Sequence, residues 1–179
     1  TVNEVIKETE DCVSLSFNVP AELKDQFDFI SGQYLTLKTK INGEEVRRSY
    51  SLCSEPSSGI LKVAIKRVEG GLFSSFANQS IQNGDTLESL PPAGNFKHAP
   101  QAEAEKNYVL FAAGSGITPI LSILKSILLH ESNSRVVLFY GNKGFHSVIF
   151  REEIESLKNR FLNRLSVNHI FSKENLGNR

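Results

Sequence analysis

The feature that most constrains the fold of this chain is a change in hydrophobic period near residue 107. Before it, short runs alternate apolar with polar residues between Gly, Pro and Asn clusters, which is typical of half-buried antiparallel strands. After it, the apolar run at 107–113 leads through Gly-Ser-Gly into apolar positions spaced three and four residues apart, which is typical of a helix. The sequence therefore predicts an all-β unit followed by an α/β unit.

The first unit is predicted to be a small antiparallel β-barrel. Apolar residues alternate with polar ones at Val13, Leu15 and Phe17, and again along the runs 35–37 and 61–65. Asn42-Gly43 separates two such runs and is a strong signal for a tight hairpin. Closure into a barrel is favoured because it removes the exposed edges that several short strands would otherwise leave.

The second unit reads as strand, helix, strand, helix, strand, which is the doubly wound parallel-sheet pattern of nucleotide-binding domains. Its first strand, 107–113, is expected to be covered on both faces because the run is continuously apolar. In the helix that follows, Pro119 suits the first turn and Thr118 is predicted as the N-cap. Three strands are half of such a sheet, so the domain is expected to be incomplete at its C-terminus.

These patterns divide the chain into a barrel at 1–97, a polar linker at 98–106 and an α/β domain at 107–179.

Composition excludes several functional classes. The formal net charge is zero and the pI is near 6.9, so nucleic acid is not expected as a partner. No apolar run is long enough to span a bilayer, and the first residues lack the pattern of a signal peptide. Two cysteines and four scattered histidines provide neither a disulfide framework nor a metal-ligand cluster, so no metal is expected and a cytoplasmic location fits best.

Three motifs carry groups suited to binding a dinucleotide or flavin. In the run 48–51, an Arg can clamp a diphosphate, a Tyr ring can stack on a flat heteroaromatic ring, and a Ser can hydrogen-bond a ring nitrogen. The run 70–76 places two glycines and a Ser before a predicted helix, and the run 113–119 places two glycines at a strand-to-helix turn. Taken singly, the three are also compatible with a solvated strand end, a Ser-capped turn and a plain βα turn.

Together, and in this order, the segments RSYSLCS, IKRVEGGLFSSF, PPAGNF, AAGSGITPILSIL and LFYGN resemble the ferredoxin–NADP reductase superfamily. Within it, the chain is similar to reductase components of multicomponent oxygenases, particularly the phenylacetyl-CoA oxygenase type. The resemblance implies that the barrel binds FAD and that the α/β domain binds NADPH or NADH. The residues it assigns to cofactor binding are Arg48, Ser49, Tyr50, Ser51, Ile65, Lys66, Arg67, Gly70, Gly71, Leu72, Phe73, Ser74, Gly114, Ser115, Gly116, Ile117, Thr118, Pro119, Tyr140, Gly141, Asn142, Ser172 and Lys173.

The same resemblance implies a reaction. Hydride would pass from NAD(P)H to the flavin, with Tyr50, Ser51 and Thr118 at the reacting edge, and electrons would then leave singly for a [2Fe–2S] centre. Cys12 and Cys53 cannot ligate that centre, so it is expected in a ferredoxin-like partner or a further domain, serving an oxygenase component. Lys173 stands where some members have Arg, which leaves the choice between NADH and NADPH open. A non-catalytic flavin- or nucleotide-binding regulatory subunit is the alternative.

Overall fold

The computed structural model describes residues 1–173, and its first part is built from six antiparallel strands. The strands are Val2–Thr9 (β1), Cys12–Phe17 (β2), Tyr34–Ile41 (β3), Glu44–Ser51 (β4), Leu61–Lys66 (β5) and Glu88–Ala93 (β6), and helix α1, Leu72–Gln79, lies between β5 and β6. They pair as two three-stranded sheets, β1-β2-β5 and β4-β3-β6. Short 3-10 turns occur at Ala21–Phe27, Pro56–Ser58, Gly114–Gly116 and Phe145–Ser147.

The two sheets close into a barrel through two thin connections. On one side, Leu52 and Val63 form an isolated antiparallel bridge between the end of β4 and β5. On the other side, the N–H of Val2 donates to the carbonyl of Asp85 and the N–H of Gly84 donates to the carbonyl of Val2, both at 2.8 Å. The predicted barrel is therefore present. Because β4 meets β5 at that bridge alone among residues 1–173, most of the outer edge of β4 is open.

The alternation in the sequence correctly identifies the barrel core. Leu15, Leu35, Leu37, Val63 and Ile65 all lie in one buried cluster. At the predicted hairpin between β3 and β4, Asn42 and Gly43 both have positive φ, 52° and 85°, as a type I′ turn requires. Local turn chemistry thus sets the register between β3, the central strand of the second sheet, and β4 at its edge.

The second part is a parallel sheet with two crossover helices, as the sequence predicts. Its elements are Asn107–Ala113 (β7), Ile117–His130 (α2), Arg135–Asn142 (β8), Arg151–Arg160 (α3) and Leu165–Phe171 (β9). The strand order is β7-β8-β9. The apolar positions of α2 that the sequence identifies are buried, namely Ile117, Ile120, Leu121, Leu124 and Leu128. Residues 174–179, the end of the predicted domain at 107–179, lie outside the described residues.

The expectation that β7 is covered on both faces is wrong for the part of the chain that the structure describes. Tyr108 and Leu110 pack against the core, whereas Val109 is 55% exposed and Phe111 is 70% exposed. The strand order advances in one direction, and right-handed crossovers then place both helices on the same face of the sheet. A continuously apolar strand has two faces that are suited to burial. In the described residues, only one face of β7 is buried.

The predicted linker is anchored to both parts. The N–H of His98 donates to the carbonyl of Ser31, and the hydroxyl of Ser31 donates back to the carbonyl of His98 at 2.6 Å. The N–H of Gln101 donates to Glu131, a fully buried carboxylate that also accepts from Ser134 and Tyr108. The linker is therefore fixed between the barrel and the end of α2. Among the described residues, no helix is both long enough and apolar enough to cross a membrane.

Candidate functional site

Strand β4 carries the first motif along its open edge. In the pairing with β3, Arg48 lies opposite Leu37 and Tyr50 lies opposite Leu35, so Arg48 and Tyr50 share one face. Ser49 and Ser51 therefore lie on the other face, and the Ser49 hydroxyl is 2.9 Å from the hydroxyl of Thr36. A ligand that presents one face to β4 cannot meet all these side chains. A flat ligand lying across the open edge can reach groups from both faces.

The Tyr50 ring is half-buried and rests beside the second motif. Its centroid is 5.6 Å from the centroid of Phe73, which lies in α1, with a tilt of 40° between the rings. Burial raises the pKa of the Tyr50 phenol to about 12, although the positive charge of Arg48 opposes this shift. The phenol is therefore protonated at neutral pH, and the ring offers a neutral surface for stacking on a planar ligand.

The glycine loop before α1 is shaped by contacts with Ser74. A Cβ added to Gly71 would lie 2.5 Å from the Ser74 hydroxyl oxygen and 3.0 Å from the carbonyl oxygen of Val68. That hydroxyl accepts from the N–H of Val68 at 3.1 Å and donates to the carbonyl of Gly71 at 3.3 Å. Ser74 thus holds the loop closed, with Gly70 and Leu72 exposed on either side of Gly71.

Several residues assigned to cofactor binding have side chains that point into the protein. Ile65 is fully buried in the barrel and Phe73 is 1% exposed, so at these positions only backbone groups are available to a ligand. Lys66 pairs with Asp11 at 3.4 Å, and the N–H of Arg67 donates to the carbonyl of Asp11. The end of β5 is therefore tied to the hairpin between β1 and β2, with the Arg67 side chain exposed.

The third motif forms a tight turn into α2. Gly114 has a φ of +49°, and a Cβ at Gly114 or at Gly116 would meet nothing within 4 Å. The prediction that Thr118 is the N-cap is wrong, because the 3-10 turn runs directly into the helix and the N-cap is Gly116. Thr118 lies inside the first turn, 6% exposed, and its hydroxyl donates to the carbonyl of Ser115 at 3.1 Å. The turn thus presents open backbone, with Ser115 exposed beside it.

Other groups in this turn are internal. The side chain of Ile117 is fully buried, and Pro119 occupies the first helical turn as the sequence predicts.

Tyr140 supports this turn from beneath. Its side chain is fully buried, and its hydroxyl donates to the carbonyl of Gly114 at 3.0 Å. Burial raises the pKa of this phenol, so it remains a donor. The ring and hydroxyl of Tyr140 face the protein, so its assignment to cofactor binding stays a prediction that only its backbone could meet directly. Its effect on a ligand would come through the position of Gly114.

Asn142, at the end of β8, is the clearest polar group without a partner. It is 8% exposed, and its amide lies near enough to the Tyr140 hydroxyl to oppose the rise that burial causes in the pKa of that phenol, yet neither amide atom has a hydrogen-bond partner of good geometry within the range 1–173. A buried amide without a hydrogen-bond partner is costly unless another polar group forms a hydrogen bond with it. Gly141 precedes it, and Ser172 donates its N–H to the carbonyl of Asn142 at 3.0 Å. Lys173 follows, with its side chain exposed.

The structure brings the three motifs to one region. The contact between Tyr50 and Phe73 joins the first two, and the 3-10 turn Gly114–Gly116 packs against β5, which leads into the second. The ends of β8 and β9 lie beside one another at the carboxyl edge of the parallel sheet, which is the edge where such sheets bind ligands. Open glycine backbone, an aromatic ring and an unpartnered amide therefore share one region.

Sequence reasoning missed three buried polar residues on α2, namely Ser122, Lys125 and Ser126, and the first two bond to the barrel. Ser122 is fully buried and Lys125 is 9% exposed, although the rest of the helix is mostly apolar. Both donate hydrogen bonds to backbone carbonyls immediately after β4. With Thr118 they are spaced at i, i+4 and i+7, so a polar stripe on an apolar helix is the signal that could have identified them.

Comparison with known proteins gives independent information on the chain. Residues 1–98 match the oxidoreductase FAD-binding domain, and residues 110–179 match the oxidoreductase NAD-binding domain. The chain is 44% identical over 176 residues to one of the subunits of 1,2-phenylacetyl-CoA epoxidase of Escherichia coli (strain K12), covering 98% of this chain and 49% of that protein. It is also 44% identical over 171 residues to the ferredoxin reductase component of 3-ketosteroid-9-alpha-monooxygenase of Rhodococcus rhodochrous, covering 94% and 48%.

A solved structure is similar over the whole chain. The flavohem-like FAD/NAD-binding domain of nitric oxide dioxygenase from Vibrio cholerae O1 biovar El Tor superposes with a TM-score of 0.85 at 25% identity, covering 98% of this chain and 74% of that one. The chain spans about half the length of the curated relatives it matches.

Proposed function

Because this chain belongs to the oxidoreductase family defined by an FAD-binding and an NAD-binding domain, we propose that it passes electrons from NAD(P)H through FAD to an iron–sulfur centre. The barrel at 1–97 would hold FAD, the linker at 98–106 would join the parts, and the domain at 107–179 would hold the nicotinamide nucleotide. The observation that carries this proposal is that Tyr50 packs against Phe73 of α1 while the open turn at Gly114–Gly116 packs against β5, the strand that leads into α1.

The groups present at β4 and α1 fit a flavin dinucleotide. The open edge of β4 offers backbone donors and acceptors to a flat ring, and Tyr50 offers a neutral surface beside it. The exposed guanidinium of Arg48 is suited to a diphosphate, since its planar fork matches phosphate oxygens. Gly70 has a φ of +70° and open space where a Cβ would lie, so a ligand can approach the backbone there closely.

The groups at the carboxyl edge of the parallel sheet fit a nicotinamide nucleotide. The amides around Gly116 begin the 14-residue helix α2, and a helix N-terminus favours phosphate. The unpartnered amide of Asn142 offers both a donor and an acceptor beside that turn. Ser172 and Lys173 lie exposed at the neighbouring strand end, where a cation favours an additional phosphate without the bidentate geometry of Arg.

In the proposed reaction, the residues of this chain bind and orient. FAD supplies the chemistry when bound, because its ring accepts a hydride and can release electrons one at a time. Tyr50 covers the ring and excludes water, Ser51 offers a hydroxyl at the strand end, and Thr118 fixes the turn through Ser115. Tyr140 holds Gly114 in place from below.

The acceptor and the oxygenase are proposed from relatives whose names describe a ferredoxin reductase component and an epoxidase subunit. We propose that the electrons pass to a [2Fe–2S] centre in a further domain or partner protein. We also propose a cytoplasmic location, since Cys12 and Cys53 are both free thiols.

A pair of adjacent arginines provides the test. FAD is titrated into apoprotein of wild type, Arg48→Ala and Arg47→Ala. Arg47 faces the opposite side of β4 and pairs with Glu45 at 2.7 Å, so it is the matched control. Arg48→Ala should weaken FAD binding roughly 10- to 100-fold, and Arg47→Ala should leave it unchanged. Equal effects of the two variants would contradict the proposed site. Bound flavin that NAD(P)H does not reduce would favour a regulatory subunit.

A further inference from the structure

Two buried side chains of helix α2 donate hydrogen bonds to the segment that directly follows β4, the strand of the proposed flavin site. The hydroxyl of Ser122 donates to the carbonyl of Ser54 at 2.6 Å. The ammonium of Lys125 donates to the carbonyl of Cys53 at 2.9 Å. Both carbonyls lie within three residues of Ser51, the last residue of β4. Two successive carbonyls beyond the RSYS motif are therefore held by one helix.

The same helix begins at the proposed nucleotide-binding turn. Its N-cap is Gly116, and Ser122 and Lys125 lie six and nine residues further along. An α-helix is a stiff element that rises 1.5 Å per residue, so its side-chain anchors fix the position of its N-terminus. Contacts at Cys53 and Ser54 thereby act on the distance between the end of β4 and the turn at Gly114–Gly116.

Burial makes the Lys125 contact informative. An ammonium taken out of water is costly unless it is paired and hydrogen-bonded. Lys125 is 9% exposed, and it forms an ion pair with Glu153, from α3, as well as its bond to Cys53. An apolar residue of similar length would avoid the cost of burying an ammonium and would still pack between α2 and the barrel. It would not, however, fix the position of α2 relative to the segment that follows β4.

Packing beside these bonds leaves space. A cavity of about 500 Å³ is lined by Ser54, Lys125 and Glu153, together with residues of β2, β5 and α3. Cys12, Cys53 and Ala64 of the barrel pack with α2 in one buried apolar cluster, and apolar contact is not directional. The two hydrogen bonds beside the cavity add the directional constraint.

We propose that Ser122 and Lys125 are positioning residues that set the separation and orientation of the flavin-binding strand and the nucleotide-binding turn. The inference rests on the proposed function. Neither residue would touch a cofactor, and both would act through Cys53, Ser54 and the axis of α2. Their loss should leave each cofactor bound but poorly aligned for hydride transfer.

The test uses the flavin-loaded protein at its natural full length, with NAD(P)H as the reductant. Single-turnover reduction gives a limiting rate and a nucleotide Kd separately. Lys125→Met should lower the limiting rate on the order of 10- to 100-fold, as expected for a misplacement of about 1 Å. The Kd values for FAD and nucleotide should change less than about threefold. Lys125→Gln retains a donor toward Cys53 and should recover most of the rate.

Two further variants separate positioning from general stability. Lys158 is an exposed lysine on α3 that pairs with Glu155 at 3.6 Å, so Lys158→Met is the matched control and should not change the rate. Ser122→Ala removes the other bond and should lower the limiting rate about threefold to tenfold. If Lys125→Met does not fold, the limiting rates of Lys125→Gln and Ser122→Ala are compared. The rate of Lys125→Gln should then be close to that of wild type, and the rate of Ser122→Ala should be about threefold to tenfold lower.

A second readout does not depend on turnover. Amide hydrogen exchange at residues 50–56 and 114–120 should be faster in Lys125→Met than in Lys125→Gln, without nucleotide present. If wild-type flavin is not reduced by NAD(P)H, the proposed function fails, and this comparison alone decides the inference. A limiting rate within twofold of wild type, equal rates for Met and Gln, or a loss explained wholly by weaker flavin binding would overturn it.

Discussion

Replacing Gly71 by alanine should destabilise the barrel through a contact that can be calculated from the structure. The Cβ introduced by Gly71→Ala would lie 2.5 Å from the Ser74 hydroxyl, so that hydroxyl must rotate away. It would then lose its bond from the N–H of Val68 and its bond to the carbonyl of Gly71. At about 0.5–1.5 kcal/mol for each bond, together with the close approach to Val68, the expected loss is about 2–3 kcal/mol.

Urea denaturation of a double-mutant cycle measures this effect. Ser74→Ala should cost about 1–3 kcal/mol because it removes the same two bonds. In that background Gly71→Ala should add less than about 1 kcal/mol, since the clashing hydroxyl is absent, giving a coupling energy of about 1–2 kcal/mol. Gly116→Ala is the control, because Gly116 has a helical φ of −63° and open space around its Cβ position. Equal costs of Gly71→Ala in both backgrounds would refute the reasoning.

Three other outcomes are expected. Tyr50→Ala should weaken FAD binding and shift the flavin absorption spectrum, whereas Tyr50→Phe should preserve both; like behaviour of the two in a flavin titration would argue against stacking. Burial raises the pKa of Cys12 and of Cys53 to about 12. Iodoacetamide at a pH of about 8 should therefore label these thiols at least about 100-fold more slowly in the native protein than in the urea-unfolded protein. Rapid labelling of the native protein would contradict the burial of the two thiols. Burial alone would raise the pKa of Glu131, but hydrogen bonds from Ser134 and Gln101 lower this pKa overall. The ionised carboxylate should therefore stabilise the fold at pH values above the unfolded-state pKa. This contribution should be lost as the pH falls through the lower pKa of the folded state. Glu131→Gln should therefore flatten the loss of stability in acid, measured by denaturation at several pH values, and an unchanged slope would contradict this linkage.

Local sequence patterns predict much of this fold because the forces involved are local. The alternation at Leu35 and Leu37 and the Asn42-Gly43 turn depend on residues within one hairpin, and the structure has both. The buried face of α2 follows from its period for the same reason. The exposure of Phe111 depends on where two distant helices pack, and no property of 107–113 contains that information.

In the candidate site too, local patterns predict some features, and the rest depend on residues that are distant in sequence. The motifs at 48–51, 70–76 and 113–119 signal their chemistry through residue types, and the fold brings them to one region. Sequence alone could not show that Tyr140 points inward to Gly114, because an aromatic ring with a hydroxyl is equally suited to either side of a strand. Nor could it show that Lys125 is buried, because lysine is ordinarily a surface residue and its partners, Cys53 and Glu153, are distant in sequence.

The central claim is that FAD and NAD(P)H meet at one surface formed by β4, α1 and the turn before α2. Its most direct test is anaerobic single-turnover mixing of the FAD-loaded protein with one equivalent of NAD(P)H, followed by the loss of flavin visible absorption. We predict stoichiometric reduction that slows when the transferred C4 hydrogen of the nicotinamide is replaced by deuterium. Tightly bound FAD that is not reduced, or reduction with no isotope effect under conditions where hydride transfer limits the rate, would contradict the account.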